Sequence, residues 1–405
     1  MKRIYLDHAA TTGLEPAVLK KMTPYFSEIF GNANSQHVFG REAVRGVDEA
    51  RDIIAELIGA KSNEIYFTSG GTEADNWAIR GVAKAFRSRG NHLIISAIEH
   101  PAMLATAKEL EKDGFEVTLV PVDEYGVVNV EKLQESIRPE TIFIGIMTAN
   151  NEIGTLQPLK EVSEIAQKHK IIFFTDAVQV AGALRLNVNE PRVDMMSFSG
   201  HKFYGPKGIG VLYIRSGVKI GKIITGGHQE RSMRGGTTNV PAAVGMAEAF
   251  RLANENIEKN AAHVSAMRDR FIARVQQEIP YVKLNGHPVR RLPSNANFSF
   301  RYIEGESLLF SLDLAGIAVS SGSACSSGSL EPSHVLLATG VNEGLAHGSI
   351  RFSFGKENTM EEVDFTVDKL KEIVIKLRNL SPLFPKDLKN EVYQQGETLC
   401  NIPIK

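Results

Sequence analysis

Two positions in this chain of 405 residues have surroundings suited to covalent chemistry. Cys325 sits in Ser320-Ser321-Gly322-Ser323-Ala324-Cys325-Ser326-Ser327-Gly328-Ser329, a run of small residues without apolar packing partners. A structural cysteine usually behaves as a small hydrophobe among hydrophobic neighbours. A thiol that reaches solvent is instead available as a nucleophile, although a Gly/Ser connection that carries a cysteine by chance has the same composition. Lys202 lies in Ser199-Gly200-His201-Lys202-Phe203-Tyr204-Gly205-Pro206, just before a Gly/Pro-rich turn. A Schiff base needs a lysine held near a carbonyl carbon and partly desolvated, so that a fraction of it is unprotonated. Pyridoxal phosphate (PLP) is a carbonyl cofactor held in this way, with an acid on its pyridine nitrogen. The plainer reading, an ordinary surface lysine near a turn, suits Lys207 better.

Other polar residues fall where such a cofactor would need them. Asp176 closes the apolar run Ile171-Ile172-Phe173-Phe174-Thr175, and ligands of open α/β sheets collect at the carboxyl ends of strands. It suits a pyridine nitrogen or a helix N-cap, and the two roles are compatible. Gln179 follows one short step on, within reach of a ring hydroxyl. Ser69-Gly70-Gly71-Thr72 opens a helix after a strand, so Gly71 lets backbone N–H groups approach a phosphate and Thr72 adds a hydroxyl. The spacings of a Walker A loop or a dinucleotide fingerprint are missing. His100 follows the apolar run 93–95 and suits ring stacking and proton transfer near neutral pH. Among 11 histidines, a satisfied core or surface role is the commoner one. Asn151 follows the run 142–147 and suits a substrate or ring oxygen. Arg351, in the alternating Ser349-Ile350-Arg351-Phe352-Ser353-Phe354, offers a planar fork to a carboxylate.

The elements that must position these groups alternate. Apolar runs at 65–68, 93–95, 117–120, 142–147 and 171–174 are separated by helical patterns, the sign of an α/β domain with a mostly parallel sheet. A long helical stretch over 240–278 leads toward a second unit in which strands at 296–300 and 349–354 alternate with helices. The last helix, 360–380, carries Val363, Val367, Leu370, Val374 and Leu377 on one face, a core stripe. The balance of 46 basic and 47 acidic residues argues against a dedicated nucleic-acid binder. No apolar run has the length of a membrane span, and residues 1–30 lack a signal-peptide core. Two cysteines give no disulfide framework, which suits a reducing cytoplasm, and Cys400 is read as incidental.

Together these segments resemble the cysteine desulfurases of the NifS/IscS type, class-V aminotransferase-like enzymes of PLP fold type I. The resemblance runs from Tyr5-Leu6-Asp7-His8-Ala9-Ala10-Thr11-Thr12 through Thr68-Ser69-Gly70-Gly71-Thr72-Glu73, Thr175-Asp176-Ala177-Val178-Gln179 and Ser199-Gly200-His201-Lys202. It ends with Leu330-Glu331-Pro332-Ser333-His334 and Ile350-Arg351-Phe352-Ser353. Its most specific motif is the cysteine loop, whose form resembles the group with the longer, flexible loop.

The resemblance implies a large domain over 16–255 with a mostly parallel seven-stranded sheet. A smaller α+β domain of 1–15 and 256–405 would carry the cysteine loop at about 320–330. It implies that Lys202 forms the Schiff base with PLP, Asp176 pairs with the pyridine nitrogen, Gln179 approaches the ring oxygen and His100 stacks on the ring. Gly71, Thr72, Ser199 and His201 would hold the phosphate, joined by Thr237 of the other subunit of a homodimer. Asn151 and Arg351 would take the carboxylate of L-cysteine. Cys325 would accept the sulfur as a persulfide, release L-alanine, and serve an iron–sulfur scaffold protein or another acceptor, with Cys325 as a transient ligand of a cluster iron. A selenocysteine lyase, another PLP aminotransferase and a non-catalytic sulfur-relay scaffold remain as alternatives. The chain departs from the family pattern at His228 and Ser232, where glycines are expected, at Gly235, where serine is expected, and at Ala33, where proline is usual.

Overall fold

The computed structural model describes residues 3–321 and 331–385, so Cys325, its loop and Cys400 lie outside the described residues. The larger sheet has seven strands in the order Ile65–Thr68, Gly210–Ile214, Met195–Ser199, Ile172–Asp176, Thr141–Gly145, His92–Ser96, Glu116–Val120. Only Gly210–Ile214 runs antiparallel to its neighbours. Its central strands are buried on both faces, as continuous apolar runs require. One face packs on the helices Val38–Ile58 and Val240–Glu255, the other on Gly71–Phe86 and Pro101–Lys112. Trp77, fully buried in the second layer, satisfies its indole N–H on the Gly221 carbonyl at 3.0 Å.

Register decides where the polar residues fall. Asp176 lies opposite Ser197, while Thr68 and Ser199 both lie opposite Gly210. A Cβ at Gly210 would stand 2.7 Å from the Gly70 Cα, so only glycine lets the helix start at Gly71 close over the sheet beside Ser199.

The expected long helix over 240–278 is two helices, Val240–Glu255 and Ile257–Glu278. Asn256, at φ −114° and ψ 12°, leaves helical geometry and turns its own amide onto the Leu252 carbonyl at 2.9 Å. The second helix backs a four-stranded antiparallel sheet of Ser320–Ser321, Ser349–Ser353, Asn295–Phe300 and Val282–Asn285. Phe271, Phe298, Phe352 and Leu370 fill its core. The closing helix Met360–Leu380 starts with a capping box between Thr359 and Glu362 and buries Val363, Val367, Leu370 and Val374, as its stripe requires. The strand Ile4–Tyr5 pairs with Ile317–Ala318 in a separate two-stranded sheet, and a bridge from Asp7 to Ser353 ties the N-terminal segment to the four-stranded one before it crosses to the larger sheet. No described helix is long and apolar enough to cross a membrane.

The segment that departs from the family pattern has an unusual backbone. Glu230, Arg231 and Ser232 have φ of 44°, 54° and 65°, left-handed values that cost about 1–2 kcal/mol per non-glycine residue. Glycine at Ser232 would relieve part of that cost; here His228 Nδ1 and Ser232 Oγ lie 3.0 Å apart in a hydrogen bond. The larger compensation is buried. Glu230 binds Arg51 through both oxygens at 2.8 and 2.9 Å and accepts the Phe67 amide at 3.0 Å, while Arg231 lies over the Tyr66 ring. Removing one partner leaves a buried charge alone. Glu230→Ala is therefore expected to lower stability by about 3–5 kcal/mol, read from the denaturant midpoint. Arg251→Ala, which breaks half-exposed pairs with Glu248 and Glu255, should cost less than about 1 kcal/mol.

Candidate active site

The carboxyl ends of the parallel strands open into a cavity of about 270 Å³ that the smaller sheet closes with Arg351. Lys202 ends the short turn Gly200–Lys202 after the strand Met195–Ser199, which aims its amine into this space. Its Nζ donates to the carbonyls of Ala9 at 2.6 Å and Ala10 at 2.8 Å. Gln179 donates its amide to the same Ala9 carbonyl at 3.0 Å. The N-terminal segment thus supplies the oxygens that satisfy the amine.

Asp176 ends its strand in the cavity wall and accepts the Val178 amide at 2.8 Å. The N-cap alternative is realised only as this cap of a turn, since no helix starts there. Burial pushes its carboxyl up to about 6, against the pull of the Val178 amide and the Lys202 charge. Two further acids lie behind it. Asp75, 1% exposed, accepts the Ser197 hydroxyl at 2.5 Å and is pushed well above the carboxylate range by burial and by Asp176. Glu99, equally buried, takes the Met147 amide on one oxygen, while the other has no partner. Burial raises it strongly as well. Neutral Asp75 and Glu99 beside an ionised Asp176 satisfy the rule that close buried carboxyls do not all ionise.

His100 caps the helix Pro101–Lys112 by accepting the Ala102 amide on Nδ1 at 3.1 Å, which leaves the neutral ring's proton on Nε2. Burial, then the Lys202 charge, then His334 lower it to about 4. His201 pairs through Nδ1 with the Thr11 hydroxyl at 3.1 Å and is lowered to about 4 by burial, Lys202 and Lys207.

At the far wall, the helix Gly71–Phe86 begins at Gly70 without a side-chain cap, so its first N–H groups are free to face a ligand. Gly71, Thr72 and Ser199 line this end together with His201. A Cβ at Gly71 would stand 2.8 Å from Val178 Cγ2 and fill the cradle. Glu73, in the first turn, is held by Arg234 through both oxygens at 2.9 and 3.0 Å.

Arg351 is 2% exposed. Its Nη2 meets Asp7 Oδ1 at 2.9 Å and its Nη1 donates to the Asn151 carbonyl at 3.0 Å, while Nε has no partner. The Asn151 side chain lines the cavity beside it.

The structure therefore gathers Lys202, His100, Gly71, Thr72, Asp176, Gln179, Ser199, His201, Asn151 and Arg351 around one space. Thr237 does not join them: it is exposed and lies outside this cavity. Cys325 lies outside the described residues. Sequence reasoning passed over Asp75, Glu99, Glu152, the Asp7–Arg351 pair and the Ala9 and Ala10 carbonyls. Glu99 and Glu152 adjoin His100 and Asn151, and Asp75 follows Thr72 by three residues, but nothing in their neighbours marks them as buried.

Residues 4–365 match the model of the aminotransferase class-V family. The cysteine desulfurase IscS of Methanosarcina thermophila is 51% identical over 388 residues, 96% of each chain. A solved NifS-like protein is 39% identical, with a TM-score of 0.88 over 93% of this chain and 100% of its own. SspA, solved in complex with cysteine, is 35% identical, with a TM-score of 0.78 over 88% of this chain and all of its own. With the family match spanning nearly the whole chain and the site's groups gathered at the sheet's carboxyl edge, the chain belongs to the class-V aminotransferase family and, within it, groups with the cysteine desulfurases.

Proposed function

We propose that the protein is a cytoplasmic, homodimeric, PLP-dependent enzyme that converts L-cysteine to L-alanine. Cys325 receives the sulfur as a persulfide and passes it to an acceptor protein for iron–sulfur cluster assembly. One observation carries this reading: a lysine amine, a buried aspartate and an uncapped helix start converge on one cavity closed by an arginine. The residues present fit PLP. The cradle that a Cβ at Gly71 would fill, with Thr72, Ser199 and His201, suits the phosphate. Asp176, held ionised beside neutral acids, suits a protonated pyridine nitrogen, and Gln179 the ring oxygen. Thr237 would reach the phosphate of the other subunit.

Bound there, PLP supplies an electron sink that makes the substrate's Cα–H acidic and its Cβ–Sγ bond labile. Lys202 takes the α-proton once its amine is free, at the point where two carbonyls now hold it. Arg351 and Asn151, which line the cavity together, orient the substrate carboxylate. The Cys325 thiolate attacks the substrate sulfur. One S–S bond forms and the Cβ–Sγ bond breaks, so thiol and L-cysteine become Cys325 persulfide and L-alanine. No outside oxidant is needed. His100, neutral with its proton on Nε2, donates that proton toward the cavity.

Three outcomes test this. Cys325→Ala should abolish both alanine and persulfide formation from L-cysteine; alanine formation at the wild-type rate would instead indicate direct elimination, as in a lyase. Arg351→Lys, which loses the planar fork, should raise KM for L-cysteine about tenfold or more while cofactor absorbance persists. The third concerns protonation. An imidazole at its ordinary 6.5 would become cationic on acidification through that value, whereas His100, lowered to about 4, should stay neutral to about pH 5. Imidazole nitrogen NMR of labelled protein reads this directly, and a midpoint near 6.5 would contradict it.

A further inference from the structure

Glu152 is 4% exposed, does not line the cavity, and has no part in the chemistry above. Its backbone amide, its carbonyl and one carboxyl oxygen are engaged nonetheless. Its amide donates to Asn150 Oδ1 at 2.9 Å, and its carbonyl accepts the Asn295 and Asn297 side-chain amides at 3.2 and 3.1 Å, from the smaller sheet. Its carboxyl Oε2 accepts the Ser333 hydroxyl at 2.5 Å. Burial pushes the carboxyl up to about 7, while Ser333 and the Arg351 charge pull it down. A buried carboxyl is costly to desolvate, and an apolar residue would fill the same turn without that cost. The bond to Ser333 is what the carboxyl adds.

Ser333 matters by its position. It caps the short helix His334–Ala338 by accepting the Leu336 amide at 3.2 Å. That helix packs through Val335 and Leu336 on Ile98, Met147 and Ile153, next to the strand ends that present His100 and Asn151. His334 reaches the Glu99 carbonyl at 3.1 Å. On the other flank, Ser320 is the sheet partner of Arg351, and its hydroxyl donates to Asp7 Oδ1 at 2.8 Å, the same oxygen that pairs with Arg351. On either side of Cys325 in the sequence, Ser320 and Ser333 are thus each hydrogen-bonded to an acid near Arg351, Ser320 to Asp7 and Ser333 to Glu152.

We propose that Glu152 is a positioning residue for sulfur transfer: through Ser333 it fixes, against the Asn151 turn, the point where the chain re-enters the site after Cys325. The inference rests on the role proposed above for Cys325. Loss of the anchor leaves Asn151 and Arg351 in the cavity wall, so substrate binding persists. It releases the hold on Ser333, eight residues after Cys325 in the sequence, which lowers the effective concentration of thiol at the substrate sulfur.

The test is a double-mutant cycle on the holoenzyme, reading kcat and KM for alanine release from L-cysteine, persulfide formed on Cys325, cofactor content and melting temperature. Glu152→Ala and Ser333→Ala should each lower kcat about fivefold or more, with KM within twofold. The double variant should be no slower than the slower single one, because both remove the same bond. Glu152→Gln, whose amide oxygen still accepts the hydroxyl, should retain most of kcat. Losses that multiply in the double variant, or a Ser333→Ala enzyme with wild-type kcat, would overturn the proposal. If Glu152→Ala does not fold, Ser333→Ala and Glu152→Gln decide it alone. Absence of persulfide on Cys325 in the wild type is a separate result that would refute the reading of Cys325 itself.

Discussion

The site is organised around one cationic amine held by two backbone carbonyls. Lys202 Nζ between the oxygens of Ala9 and Ala10 is satisfied without a paired side-chain acid at those contacts. Its positive charge therefore acts on the rest of the cavity. Burial first, and then this charge, lower His100 and His201 so that both rings stay neutral, and the charge favours ionised Asp176 against a burial cost. Burial, with the Asp176 charge beside them, pushes the neighbouring acids Asp75 and Glu99 toward neutrality. A site with one amine, one ionised carboxylate and two neutral imidazoles suits the cofactor proposed above, a ring that needs its nitrogen protonated and a lysine able to give up its proton.

That arrangement constrains the fold. The carbonyls come from a segment whose preceding strand, Ile4–Tyr5, pairs with Ile317–Ala318, and whose Asp7 bridges to Ser353 of the four-stranded sheet. The same segment supplies Asp7 to Arg351, which reaches the cavity from that sheet and donates back to the Asn151 carbonyl of the larger unit. Lysine, arginine and the acids between them thus depend on how the two sheets meet. The Asn150 side chain carries this further, binding the Glu152 and Ile153 amides and the Ile98 carbonyl, so the turns after two neighbouring strands are one hydrogen-bonded unit.

Much of this was legible from residue types. The strand ending at Asp176, the helix opening at Gly71 and the stripe of the closing helix follow from apolar periodicity and turn chemistry, and they stand where those signals put them. The strand Met195–Ser199 was harder to see because Ser197 and Ser199 interrupt its apolar run; Ser197 is tolerated in a buried strand because its hydroxyl finds Asp75. The break at Asn256 depends on one side chain competing for a helix carbonyl, which periodicity does not register. Backbone carbonyls such as those of Ala9 and Ala10 leave no trace in residue identity. Buried acids leave little, since Glu152 and Asp75 read like solvent-facing residues until their partners from distant strands are in place.

The family match and the geometry converge on sulfur removal from an amino acid, and the decisive atom is the sulfur itself. The most direct measurement is peptide mapping of the holoenzyme after a single turnover with sulfur-labelled L-cysteine and no acceptor present. The label should reside as a persulfide on the peptide that contains Cys325, in proportion to the alanine released. Label released entirely as free sulfide, or carried on Cys400, would contradict transfer through Cys325.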